Sequence, residues 1–226
     1  SPGRSFLFLG MEIPILYESK WLLAINKPAG LVVEHAPHFP SVEDWAQYYI
    51  SNQEKKPFVG IIHRLDRSVS GTLLLAKRKA ALKDLNEQFR ERQVQKIYLA
   101  LVENAPQKEH GTLTHWLRKD QAAKKAIVLD KPVKGAAECR LDYKIVGKND
   151  AGIILEIQLH TGKFHQIRAQ LAAIGCPILG DSKYGAALPY QPEAIALHAW
   201  KLRLRDPLTS DQILLEAPLP MPFTFQ

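Results

Sequence analysis

Ala137-Glu-Cys-Arg-Leu-Asp-Tyr-Lys-Ile-Val-Gly-Lys-Asn-Asp-Ala-Gly-Ile-Ile-Leu-Glu-Ile-Gln-Leu-His160 reads as two extended segments, 137–145 and 152–160, folded back on each other. Asn149-Asp-Ala-Gly152 supplies the hairpin turn between them. Strands joined this closely pair antiparallel without a crossover helix.

Working outward, 96–102 alternates two sets of apolar residues and reads as a strand buried on both sides, and 111–128 as a strand, a basic loop and a second strand. Residues 22–25 form a short buried strand punctuated by Asn26-Lys-Pro-Ala-Gly30, after which an extended run resumes over 31–33. Short strands are expected over 58–62 and 72–76, and the last two over 196–204 and 213–217. Helices are few. Ser41 caps one, with Asp44 three residues on and Val42, Trp45, Ala46 and Tyr49 as its apolar stripe. A second covers 79–92. A third covers 164–173, with Ile167, Leu171 and Ile174 on one side, Gly175 as its stop and Pro177 following. Strands that are mostly sequence neighbours, with few helices, indicate an α+β fold with a mostly antiparallel sheet rather than a doubly wound α/β fold.

The 226 residues, 46% hydrophobic and 23% charged, have the balance of a soluble globular protein. No apolar run approaches the roughly 18 residues of a membrane span. Two cysteines, Cys139 and Cys176, are too few for a secreted disulfide framework and point to the cytoplasm. Residues 1–10 precede Met11 and read as a vector remnant or disordered leader, with one domain over 11–226.

Thirty Lys and Arg against 23 Asp and Glu leave a net charge of +7, which suits a polyanionic partner. Two stretches, 77–96 and 118–134, concentrate the excess, the second including Lys124 and Lys125. Metal and nucleotide motifs are missing. His160 and His165 lack the spacing of a zinc protease helix, the cysteines form no CxxC pair, and there is neither a Walker loop nor a G-x-S-x-G elbow.

Polar density at a strand end marks Gly60-Ile-Ile-His-Arg-Leu-Asp-Arg-Ser-Val-Ser-Gly71, where His63, Arg64, Asp66 and Arg67 crowd together between two apolar strands. A second cluster, Leu159-His-Thr-Gly-Lys-Phe-His-Gln-Ile-Arg168, opens the third helix. Composition alone leaves a surface ion-pair cluster open for the first, and ordinary helix capping for the second.

His63-Arg-Leu-Asp-Arg67 with Ser70-Gly71 and Ala76-Lys77 resembles the signature of the RluA-type pseudouridine synthases, in a short form without an N-terminal S4 domain. The resemblance continues in family order through Asn26-Lys-Pro-Ala-Gly30, Lys96-Ile-Tyr-Leu-Ala-Leu-Val102, Thr161-Gly-Lys-Phe-His-Gln-Ile-Arg168, Gly175-Cys-Pro-Ile-Leu-Gly-Asp-Ser-Lys-Tyr-Gly185 and Leu197-His-Ala199. It implies a central mixed sheet split by an RNA-binding cleft, and an enzyme without metal or cofactor that isomerises uridine in a structured tRNA or rRNA. A monomer without an obligate protein partner is expected. Asp66 is carried over as the catalytic carboxylate, Tyr98 as the tyrosine packing on the uracil, and Arg168 as the cation paired with the carboxylate. His63, Arg64, Arg67, Lys163, His165, Gln166 and Ile167 are taken with these as substrate-binding, and the charge of the second basic stretch adds Lys124 and Lys125. Lys163 stands where arginine is frequent, which keeps the charge and loses a bidentate fork. Arg205-Asp-Pro207 replaces a more usual His-Pro. Two other classes compete: an RNA-binding module that has lost catalysis, and a glycosidase-like hydrolase. The second usually needs a pair of carboxylates, and Asp181, the one nearby family acid, is expected to be structural.

Overall fold

Asn149 closes the hairpin as its chemistry predicts, its Oδ1 accepting from the amides of Ala151 at 3.0 Å and Gly152 at 3.2 Å. The computed structural model describes residues 5–8 and 11–223. The described backbone divides into two compact units, one formed by residues up to 95 with 199–218, the other by 96–198 with residues from 219 onward.

In the first unit, β1 (Ser5–Phe8), β2 (Met11–Glu18), β3 (Leu22–Lys27) and β5 (Ser70–Ala76) lie side by side as an antiparallel series, with the short β4 (Gly60–Ile61) also on β5. β11 (Leu197–Arg205), in this unit from Ala199 onward, neighbours β5 and pairs antiparallel with β12 (Gln212–Glu216). Gly71 makes the approach to β11 possible. At φ +116° a Cβ there would lie 2.3 Å from the Ala199 carbonyl oxygen, so no side chain fits. Helix α2 (Lys79–Arg90) lays Ala81 and Leu85 on a sheet face built from Leu22, Ala24, Leu74, Ala76, Leu202, Leu204 and Leu215. Helix α1 (Val42–Ser51) starts at Ser41, whose Oγ accepts from the Asp44 amide at 3.0 Å.

In the second unit the strand order is β6 (Gln95–Val102), β10 (Gly152–Leu159), β9 (Ala137–Asn149), β7 (His110–Asp120) and β8 (Lys125–Leu129), antiparallel at every step. Helix α3 (Gln166–Ala173) packs Ala169 against Leu117, Ala126 and Cys139, and the short 3-10 turn Ser182–Tyr184 adds Tyr184 to that cluster. Cys139 and Cys176 are both buried free thiols. Burial pushes the Cys139 thiol up to about 11.

The α+β class and the mostly antiparallel sheet agree with expectation, and four local readings change. Residues 31–33 add no strand, because the Val32 and Val33 carbonyls accept from Val42 and Glu43 at the start of α1. The strand expected over 58–62 shrinks to β4. Helix α2 stops at Arg90, with Arg92 left-handed at φ 57°. Helix α3 starts at Gln166, because His165 is left-handed at φ 52°. It is also buried beyond one apolar stripe, since Gln166, Arg168 and Gln170 are inside as well. Strand β2 had no counterpart in the sequence reading. Residues 1–4 and 9–10 of the expected leader lie outside the described residues, while Ser5–Phe8 runs beside Met11–Pro14. No helix among the described residues is long and apolar enough to cross a membrane.

Candidate active site

In the first unit, Asp66 stands in a tight turn, its carbonyl accepting from the Val69 amide at 3.0 Å. Three contacts hold this turn. His63 Nε2 accepts from the Leu74 amide of β5 at 3.0 Å, and the imidazole stacks on Phe89 of α2 with centroids 5.1 Å apart. The Gly30 amide donates to the Arg67 carbonyl at 2.8 Å, while Arg67 Nε returns a bond to the Gly30 carbonyl at 3.0 Å. Arg67 also lies over the Phe39 ring at 5.0 Å. His63 and Arg67 therefore shape the turn, and Arg64, largely exposed, pairs with Glu34 at 2.8 Å.

The third contact is Lys27, which sequence reading treated only as part of a punctuating turn. Lys27 is fully buried. Its Nζ donates to the carbonyls of Leu31 at 2.8 Å, Pro28 at 2.9 Å and Arg67 at 3.3 Å. Burial pulls its ammonium down to about 7, against the attraction of Asp66 and with the help of Arg67 repulsion. Lys27 and Asp66 thus interact electrostatically within one unit. The signal in the sequence was Lys27 itself, a lysine among apolar strand residues.

In the second unit, Tyr98 is buried on β6 opposite Ile157 of β10. Arg168 and Asp181 form a buried bidentate pair, Nε to Oδ2 at 2.7 Å and Nη2 to Oδ1 at 2.8 Å. Asp181 is therefore the structural acid that the sequence suggested. Ile167 is buried beside Arg168 on α3.

Gln166 changes character. Its Oε1 accepts from Thr161 Oγ1 at 2.8 Å and the Lys163 amide at 3.0 Å, and its Nε2 donates to the Arg140 carbonyl at 3.2 Å and Gln170 Oε1 at 3.0 Å. Those four bonds saturate an amide side chain, and the residue is buried. His165 Nδ1 lies 3.0 Å from the Tyr184 hydroxyl, and its ring stacks on the exposed Phe164 at 3.8 Å.

The two basic stretches differ. In 77–96, Lys77 is buried against Glu18 at 2.8 Å, Arg78 pairs with Glu54, and Arg90 pairs with Glu87 and Glu91. Much of that charge is matched within the unit. The stretch 118–134 instead occupies the β7–β8 hairpin and the turn after it, with Lys124 exposed at its tip and Lys125 5.8 Å from the Tyr184 ring.

Residues 21–173 match the RNA pseudouridylate synthase family model. The chain is 34% identical to an uncharacterized RNA pseudouridine synthase of Chlorobaculum parvum, over 93% of this chain and 72% of that one. It is 33% identical to ribosomal large subunit pseudouridine synthase D of Nitrosomonas europaea, over 93% and 63% respectively. For ribosomal large subunit pseudouridine synthase C of Rickettsia prowazekii the figures are 32%, 93% and 69%. Among solved structures, human RNA pseudouridylate synthase domain containing 4 superposes with a TM-score of 0.76 at 26% identity, covering 92% of this chain and 88% of that one. A fold of antiparallel strands with a carboxylate held in a strand-end turn thus coincides with a family match over most of the chain, and the protein belongs to the RNA pseudouridylate synthases, enzymes that isomerise uridine in RNA to pseudouridine.

Proposed function

We propose that this chain converts one or a few uridines of a structured RNA to pseudouridine, with Asp66 as the catalytic carboxylate. The observation that carries this reading is the construction of the Asp66 turn. Hydrogen bonds from Lys27, Gly30 and Leu74 hold its flanking residues, and Lys27 interacts electrostatically with the carboxylate. A group that must meet a sugar carbon in one orientation benefits from such preorganisation.

The reaction breaks the N1–C1′ bond, turns the detached uracil and joins C5 to C1′, after which the C5 proton leaves and N1 carries one. A carboxylate serves either by attacking C1′ or by promoting loss of the base and stabilising the sugar species; both need it ionised. Tyr98 supplies an aromatic face for the uracil and a phenol for its C5 edge. Arg168 supplies a fixed guanidinium, oriented by Asp181. Arg64, Arg67, Lys163, His165, Lys124 and Lys125 make up the proposed RNA-facing set, Ile167 is the apolar neighbour of Arg168 that lines the pocket, and His63 and Gln166 support the site from within the fold. A uridine in folded RNA must be extruded at a cost of a few kcal/mol. Phosphate contacts from the hairpin lysines offset that cost.

The two relatives named for the ribosomal large subunit favour rRNA over tRNA as substrate. Pseudouridine mapping of cellular RNA with and without the gene identifies the target. Asp66→Asn is expected to abolish turnover, by roughly 10⁴-fold or more on the scale of lost catalytic groups, while folding and most RNA affinity persist. Pseudouridine formed by that variant at the wild-type rate would overturn the assignment.

A further inference from the structure

Tyr184 joins three elements of the second unit. Its hydroxyl oxygen accepts from the Ala126 amide of β8 at 2.7 Å and lies 3.0 Å from His165 Nδ1, at the entrance to α3. The same oxygen therefore joins the amide of β8 and the imidazole that precedes α3. The ring itself lies 5.1 Å from the Arg168 guanidinium and 5.8 Å from the Lys125 ammonium, within reach of both cations.

The hairpin has reason to need such an anchor. β8 ends the strand order among the described residues, and β7 pairs with β9 only as far as Leu117 while it pairs with β8 over Trp116–Asp120, so the end of the hairpin projects beyond β9. Two nearby contacts bind the hairpin to the same region: Lys183 Nζ donates to the Lys124 carbonyl at 3.3 Å, and Lys119 lies over Phe164 at 4.7 Å. The first of these meets the turn that carries Tyr184, the second the segment that carries His165.

We propose that Tyr184 is a positioning residue that couples RNA engagement by the β7–β8 hairpin to the placement of the Arg168 guanidinium. This rests on the reading that the hairpin lysines contact RNA and that Arg168 serves the isomerisation. The hydroxyl fixes the hairpin and the ring supports the guanidinium, so the two functions separate by substitution.

Tyr184→Phe keeps the ring and removes the hydroxyl; Tyr184→Leu removes both. Pseudouridine formation is measured against RNA concentration on an RNA that the wild type modifies, together with hydrogen exchange at the Ala126 amide. For Tyr184→Phe, the half-saturating RNA concentration and Ala126 exchange should each rise about three- to tenfold, the scale of one lost hydrogen bond. Its saturating rate should stay within about twofold of wild type, whereas Tyr184→Leu should also lower that rate by about tenfold, the scale of a lost cation–π contact in a desolvated place. A purely structural role would lower the saturating rate of both variants alike and so overturn the coupling. Unchanged half-saturation and unchanged Ala126 exchange in Tyr184→Phe would also overturn it, whether or not Tyr184→Leu folds. A wild type that modifies no RNA would refute the proposed function alone; exchange at Ala126 and RNA binding by Tyr184→Phe would still decide the anchoring.

Discussion

Lys27 and Arg67, 40 residues apart in sequence, are joined through the fully buried Lys27 Nζ, which donates to the Arg67 carbonyl at 3.3 Å. The same ammonium collects the Leu31 and Pro28 carbonyls, so one lysine fastens the end of β3 to the turn that presents Asp66. Lys27→Met keeps the length and removes the donors. It should cost about 1–3 kcal/mol for each carbonyl left buried without a partner, and lower activity more than RNA affinity. Urea unfolding and RNA titration check the two halves, and a variant with wild-type stability and rate would contradict this fastening role.

The same lysine predicts a pH dependence. Burial takes its ammonium from the ordinary 10.5 to about 7, so between those values the unfolded chain binds more protons at this position than the folded one. Its contribution to stability therefore rises as pH increases through that window. Unfolding free energies at pH 7 and pH 9 should climb for the wild type relative to Lys27→Met. Parallel curves would show that Lys27 titrates normally.

Arg168 and Asp181 form a bidentate pair with both side chains nearly out of solvent, at 8% and 1% exposure. Losing the Arg168 guanidinium takes the bidentate partner from the buried Asp181 carboxylate, at about 3–5 kcal/mol. Arg168→Met should show a loss on that scale in chemical denaturation. Arg168→Lys should recover part of the stability and little of the activity, because the charge remains and the fork does not. Full activity in Arg168→Lys would argue that the geometry of the fork is immaterial.

Lys124 and Lys125 sit at the tip of the hairpin and the start of β8. Replacing both with Gln should weaken RNA binding and reduce the slope of log affinity against log salt by up to about 1.8, since each phosphate contact contributes roughly 0.9 for a duplex. Binding measured at several salt concentrations tests this. An unaltered slope would place the hairpin tip away from the RNA.

Gln166 bridges Thr161, Lys163, Arg140 and Gln170 through a saturated amide. Gln166→Leu should leave several buried groups unpaired, costing about 1–3 kcal/mol for each, and melting should reveal it. RNA affinity at low temperature, where the fold persists, should change little. A large affinity loss without a stability loss would return Gln166 to the RNA-facing set.

Turn chemistry and periodicity made most strands, and the capped start of α1, legible in the sequence, because a hairpin at Asn149 or a cap at Ser41 is decided by residues within a few positions of one another. The family resemblance of the motifs was also a property of sequence, and the family match covers residues 21–173. Partnership was not legible. Lys27 lies far along the chain from Asp66, the buried polar groups of α3 look like a solvated face when read by spacing, and the cations of 77–96 look free until Glu18 and Glu54 are placed beside them. Local rules name the residue types that a backbone prefers. Which carboxylate meets which cation, and how dry that meeting is, depends on elements distant in the chain, so only the tertiary structure decided which charged and polar groups are paired within the fold.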